Sequence, residues 1–345
     1  MKSVSFLKNN YKKILSLIPL TLTFFLFQNF SFNSGSNISR WSCSDKLGSS
    51  YKNFLRGYDA DLDHSYGWDQ RHKMDLFYHD NHNRRTPLVV FFHGGGFQKG
   101  DKCGIFKRYE QEIKALLRRK VAFASVNYRF LVKNDSRGAT RAFDDGQRAF
   151  DHLRDRARWR NIDSHNIIVG GTSAGSGIAS SIGFKDRNTR YISGVMLFEA
   201  QATYSTSGLS SVFSNELRRS RMNIEQALRR TSTSRSILWH LKAVYGTDNS
   251  HKMFDSRTRD MGRRLNLMGH ISREDPPIYV ENVEQPDRFR FVKSVAYHHR
   301  NHADAIERAA NGAGIYVKKI AGERARRSTN LNQERTRFLE RTLRN

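Results

Sequence analysis

Cysteine and proline are scarce in this chain. Two cysteines, Cys43 and Cys103, in 345 residues exclude a disulfide-built scaffold and a multi-cysteine zinc site, leaving room for one bridge. Only 5 Pro and 24 Gly exclude a collagen-like chain, and 38% hydrophobic against 27% charged residues excludes a disordered chain or a multi-span membrane protein. No C-x-x-C pair, H-E-x-x-H or EF-hand loop occurs, so no metal site is implied. Acidic charge is also short: 33 Asp+Glu stand against 59 Lys+Arg, a formal net charge of +26. Such a field favours polyanions, whether nucleic acid, acidic polysaccharide or an anionic lipid surface, and says nothing about fold. The length fits one large α/β domain or two medium ones.

The one long apolar run lies at the N-terminus. Lys2, Lys8, Lys12 and Lys13 precede Ile14 to Phe27, interrupted by Ser16, Pro19, Thr21 and Thr23. A basic segment before such a run is the pattern of a secretory signal. It is short of the roughly 20 residues of a membrane span, though extension through Phe30 and Phe32 would make an uncleaved anchor. Residues 1–32 are therefore read as a signal peptide or signal anchor, with export to the periplasm or outside as the expectation and cleavage left open. Residues 33–50, rich in Ser and Asn, read as a linker. Residues 51–323 carry globular patterning without internal repeats. Residues 324–345 read as a basic terminal helix, with Leu331, Phe338, Leu339 and Leu343 among its arginines.

From residue 73 onward strands and helices alternate, which predicts a mostly parallel central sheet with helices on both faces. Lys73–Tyr78, Pro87–Phe92, Val121–Asn127, Asn166–Gly170, Val195–Phe198, Ile278–Val280 and Ile315–Ile320 are the strands. PLVVFF at Pro87–Phe92 is a continuous apolar run of the kind buried on both sides. Phe106, Tyr109, Ile113, Leu116 and Leu117 repeat at helical spacing, as do Ala142, Ala149, Phe150, Leu153 and Ala157. Between Glu199 and Asp275 no strand is found. Helical patches at Ile224–Leu228 and Ile237–Val244 make residues 200–274 a helical cap insertion.

Gly171-Thr172-Ser173-Ala174-Gly175 lies directly after the strand NIIVG and before the helix-compatible Ile178–Ile182. A serine on a strand-to-helix turn is held strained, with its hydroxyl exposed at the carboxyl edge of the sheet, and small neighbours relieve the crowding. The helix start beneath it favours developing negative charge. Ser173 is thus the candidate nucleophile. His93-Gly94-Gly95-Gly96-Phe97 follows PLVVFF, and its glycines let backbone amides approach an acyl oxygen. The amides of Gly95, Gly96 and Ala174 are the candidate oxyanion hole. His93 reads as a structural residue bonding this loop. Asp144 and Asp145 precede a helix and read as N-terminal charge and capping. Cys103 reads as a small, partly buried residue, its pairing with Cys43 left open.

HGGGF, Asn127-Tyr128-Arg129 and GTSAG, each after a strand, together resemble the α/β-hydrolase superfamily, in its carboxylesterase/acetyl-esterase branch related to hormone-sensitive lipases. Ser65-Tyr66-Gly67 with Lys73-Met74-Asp75-Leu76 looks like the opening strand of those esterases, and Asp275-Pro276-Pro277 like the lead into their acid-bearing strand. The resemblance covers residues 60–320. It implies a Ser–His–acid triad, an acyl-enzyme intermediate and no cofactor. Asp287 or Glu284 then stands as the acid, Asp287 first, with Glu199 in reserve or as a cap hinge. The chain departs from the family at the base, because no histidine occurs beyond His302. His298 and His299, just before a helix from His302 to Ala310, resemble a His-His pair in a subset of esterase-like proteins. A neutral imidazole there could serve Ser173, and the sequence does not decide between them beyond a lean to His298.

These features imply a serine carboxylesterase acting on short, acetyl-like esters, with a small ester or an acetylated glycan as substrate. An anionic surface would be contacted through the basic charge. Two other readings stay open. One is a catalytically impaired hydrolase-fold protein that binds an anionic polymer, and the other is an amidase or peptidase on the same fold. Specific nucleic-acid binding is not expected, since the arginines are interspersed with acids, as in Asp151–Arg160, and no recognition motif appears.

Overall fold

Strands such as PLVVFF have no polar face and persist only where both sides are covered. A computed structural model describes residues 43, 48, 51, 58–79, 84–133, 135–229, 232–255, 258–284 and 293–343, and shows how they are covered. The strands are β1 (Asp59–Ser65), β2 (Lys73–Tyr78), β3 (Thr86–Phe92), β4 (Ala122–Val126), β5 (Ile162–Thr172), β6 (Ile192–Phe198), β7 (Ile278–Asn282) and β8 (Val317–Ala321). They form one sheet in the order β1-β2-β4-β3-β5-β6-β7-β8. β2 is antiparallel to both its neighbours, and every other pairing is parallel.

The alternation of side chains sorts the apolar residues into two layers. Leu88, Val90 and Phe92 of β3 join a core with α2 (Thr140–Arg156) and α3 (Ala174–Gly183), whereas Val89 and Phe91 face a second core with α1 (Lys102–Arg118). Each large apolar side chain buried in this way contributes about 1.5–3 kcal/mol. The chain moves from β3 to β4 on one side and then returns past β3 to β5. The strand order therefore reverses at β3 and β5, and the carboxyl ends of strands at such a reversal are where doubly wound sheets place ligands. The glycine loop follows β3 and Ser173 follows β5.

Residues 206–265 hold helices and, among the described residues, no strand: α4 (Thr206–Val212), α5 (Ser214–Arg219), α6 (Ile224–Arg229), α7 (Ser232–Tyr245) and α8 (Arg259–Leu265). Leu209, Leu217, Ile237 and Leu241 from these helices, with Phe213 between α4 and α5, share the core of α2 and α3. After β7 come α9 (Lys293–His298) and α10 (Arg300–Gly312), and after β8 come α11 (Glu323–Ser328) and α12 (Leu331–Thr342). α12 is docked. Phe338 is buried against Gly194, and Arg335 grips Glu281 through two bonds of 2.7 and 3.1 Å and Glu112 at 2.8 Å.

One expectation is corrected, and two features are added. β1 lies outside the strands read from the sequence, which begin at residue 73: DADLDHS has no apolar face, and its position at the sheet edge leaves it largely exposed. Asp145 is no cap: α2 begins at Thr140, and Asp145 lies on its inner side, fully buried and bonded to Arg129 at 2.6 Å and His72 at 3.0 Å. Removing one partner of such a pair strands the other charge. Cys103 is joined to Cys43 in a disulfide at the start of α1. Among the described residues no helix is long and apolar enough to cross a membrane. The signal or anchor segment 1–32 lies outside the described residues.

Candidate active site

The GTSAG turn forms because the chain must pass from the end of β5 into α3 within one residue. Ser173 does so at φ 54°, ψ −121°, a conformation that costs free energy and persists only where the surroundings enforce it. Its N–H donates to Phe198 O on the neighbouring strand at 2.8 Å, and its carbonyl accepts from the Ser176 amide and hydroxyl at 2.8 and 2.6 Å. The flanking glycines are there for space. A Cβ on Gly171 would lie 2.2 Å from Gly175 O, and one on Gly175 would lie 2.1 Å from Phe92 O.

The glycine loop lies against this turn. A Cβ on Gly94 would meet Thr172 O at 2.9 Å and the Ser173 Cβ at 3.3 Å. Gly95 and Gly96 take φ of 118° and 63°, left-handed backbone that glycine adopts without a steric penalty. The loop is pinned from several sides: Gly95 O accepts from the Gln98 and Lys99 amides, Phe97 O from Leu131 N–H, and Phe97 itself is buried. His93 bonds Gly94 O at 2.7 Å and stacks on Tyr128 with ring centroids 4.3 Å apart, the structural position its sequence context suggests.

His298, the last residue of α9, places Nε2 2.9 Å from Ser173 Oγ. Burial first, and then the charges of His302 and Arg108, push its imidazole down to about 4. It is therefore neutral at pH 7, and with the proton on Nδ1 its Nε2 accepts the serine hydroxyl. His299 is separated from this contact. It caps α10, its side chain accepting from Asn301 N–H at 3.3 Å, and it packs beside Phe213. The adjacent pair thus divides into one residue on the serine and one holding the helix start.

The turn that carries His298 is held by side chains from other elements. Asn282, at the end of β7, donates to the carbonyls of His298 and His299 at 3.2 and 3.4 Å. It also exchanges two bonds with the backbone of Ala200 at 2.9 and 3.0 Å. Gln201 donates to Tyr297 O at 3.2 Å. His302 is fully buried and bridges Ala202 N–H and Ala296 O. From the helical stretch 206–265, His240 of α7 reaches Gly96 O and the Tyr297 hydroxyl. None of these residues stands in a recognisable motif; each is a single polar residue whose partner is distant in sequence.

Asp287 lies outside the described residues. Glu284 is at the surface, ion-paired with Arg108. Glu199, buried at φ 48° at the end of β6, spends Oε1 on the amides of Val283 and Glu284 at 3.0 and 3.1 Å. Burial, reinforced by Glu281 and opposed by the Val283 bond, pushes its carboxyl up to about 8, so it is protonated at neutral pH. It shapes the start of the segment leading to Asp287. Among the described residues one set of metal-type ligands converges, Cys43, Asp101 and Cys103, and both sulfurs are tied up in the disulfide.

The family model BD-FAE matches residues 74–287, more than half of the chain. Similar solved structures include a truncated carbohydrate esterase from gut microbiota, 13% identical with TM-score 0.58, covering 82% of this chain and 96% of that one. Esterase B from Lactobacillus rhamnosis is 14% identical with TM-score 0.57, covering 87% and 93%. Esterase 2 from Thermogutta terrifontis, phosphoramylated by tabun, is 15% identical with TM-score 0.53, covering 83% and 95%. No curated protein sequence matches the chain.

Proposed function

Because this chain belongs to the BD-FAE family and has the α/β-hydrolase fold, we propose that it is a serine esterase that cleaves short acyl esters through Ser173. The 2.9 Å contact between Ser173 Oγ and His298 Nε2, on a backbone turn strained to present the hydroxyl, carries this reading. Ser173 attacks the acyl carbon while His298 takes its proton. The negative charge on the acyl oxygen is met by the amides of Gly95, Gly96 and Ala174. His298 then returns the proton to the departing alcohol, and water cleaves the acyl-enzyme by the same sequence in reverse order. Asp287 is the carboxylate assigned to orient His298.

The basic balance, +26 overall, favours an acetylated glycan that itself carries negative charge. A carbohydrate esterase among the similar structures is in keeping with this substrate class. The full-length protein should release p-nitrophenol from p-nitrophenyl acetate and lose that activity in Ser173→Ala with its fold intact. Equal activity in the two proteins would remove the serine mechanism, and turnover of a matched anilide would move the reading to an amidase. Acetate release from an acetylated acidic polysaccharide should fall steeply as salt is raised. Release indifferent to salt would remove the electrostatic part alone.

A further inference from the structure

The ester reading above uses three backbone amides and one imidazole, and it leaves unexplained what holds these two halves in register. A loop of three successive glycines has the largest conformational freedom to lose, so donors mounted on it act at full strength only if neighbouring groups fix it. The Gly96 carbonyl is fixed from the cap. His240 lies on the inner face of α7 with Ile237, Leu241 and Val244, and is 2% exposed. Its Nε2 is 2.9 Å from Gly96 O, and its Nδ1 is 3.0 Å from the hydroxyl of Tyr297, whose ring it meets edge-on. One tautomer satisfies both contacts: Nε2–H donates to the carbonyl, and Nδ1 accepts the tyrosine O–H.

Tyr297 directly precedes His298. Its carbonyl takes a bond from Gln201 Nε2, which also donates to Glu199 O, and Gln201 Oε1 in turn accepts the Tyr204 hydroxyl. A continuous series of hydrogen bonds therefore runs from the glycine loop, through one cap histidine, to the turn that carries the imidazole. We propose that His240 is a positioning residue: it sets the oxyanion loop against the His298 turn and makes the competence of the site depend on the seating of cap helix α7. This rests on the ester reading, and its test is built to fail separately from it.

The experiment compares full-length wild type, His240→Ala, His240→Gln, Tyr297→Phe and the double variant His240→Ala/Tyr297→Phe on p-nitrophenyl acetate. A trifluoromethyl ketone serves as mimic of the tetrahedral adduct, and the product alcohol as ground-state ligand. His240→Ala should lower kcat by about ten- to a hundredfold with KM within about twofold, the scale expected when a catalytic group is misplaced by a fraction of an ångström to an ångström. His240→Gln, whose amide N–H can still reach Gly96 O, should recover part of the loss. Tyr297→Phe should cost several-fold, and the double variant should be no worse than His240→Ala, because both act through one series of bonds. Affinity for the ketone should fall in parallel with kcat/KM while affinity for the alcohol stays unchanged.

Equal loss of ketone and alcohol binding, additive effects, or kcat unchanged in Tyr297→Phe would overturn the proposal. Tyr297→Phe removes only a hydroxyl and carries the test if His240→Ala does not fold. Absence of Ser173-dependent turnover in the wild type would condemn the ester reading itself, whereas an active wild type with indifferent variants condemns only the role of His240.

Discussion

Ser173 and His298 meet at 2.9 Å, yet the two turns that bring them together are built on different principles. The Ser173 turn is local and made of backbone: a strand, one residue at φ 54°, a helix, and glycines whose missing Cβ atoms leave room for carbonyls. The His298 turn is assembled from afar. Asn282, Gln201 and the backbone of Ala200 come from the ends of β6 and β7, and His240 comes from α7. A turn specified by backbone geometry restricts residue type at fixed spacing, so it leaves a motif. A turn specified by long-range side-chain bonds restricts single positions with no spacing rule, so it leaves none.

The sharpest way to break this comparison is to remove each half of the histidine pair. His298→Ala should lower kcat/KM on p-nitrophenyl acetate by about a thousandfold or more. His299→Ala should leave kcat within about threefold and cost about 1 kcal/mol of stability, the typical loss for a helix cap. Equal losses of activity in both would mean that the two imidazoles are not divided as their contacts indicate.

Glycine substitutions separate space from flexibility. Gly175→Ala drives a Cβ to 2.1 Å from Phe92 O and should cost about 3 kcal/mol or more in a denaturant melt. Gly104 lies in α1 with nothing within 4 Å of its notional Cβ, and Gly104→Ala should be neutral or slightly stabilising. A Gly175→Ala protein as stable as the Gly104→Ala protein would show that the turn does not depend on close approach.

A smaller effect concerns pH. In the proposed reaction His298 serves as a neutral imidazole, and its folded-state pKa is pushed down to about 4, mainly by burial. Lowering the pKa of a base extends its active form toward acid. The acid limb of kcat/KM should therefore lie near 4, well below the value of about 6.5 of a free imidazole. A limb at or above that value would show that the carboxylate assigned to orient His298 outweighs the burial.

The same contrast explains what was legible in the sequence. Apolar strands β2 to β7 stand out because both faces are covered, and the GTSAG and HGGGF loops because backbone crowding dictates their residues. β1 was hidden since a polar edge strand shows no apolar period, and Asp145 was misread because its partner Arg129 lies in the loop after β4. The cysteine bridge joins residues 60 apart, a separation that carries no pairing signal in a chain with so few cysteines. His240 had none at all, being one histidine in a helix whose two partners lie 144 and 57 residues away.

The most direct test of the central claim is the rate at which a fluorophosphonate labels the intact protein, followed by peptide mapping of the adduct. The account predicts one adduct per chain, on Ser173, formed at least about a hundredfold more slowly in His298→Ala. Labelling of another residue, or an unchanged rate in His298→Ala, would contradict it.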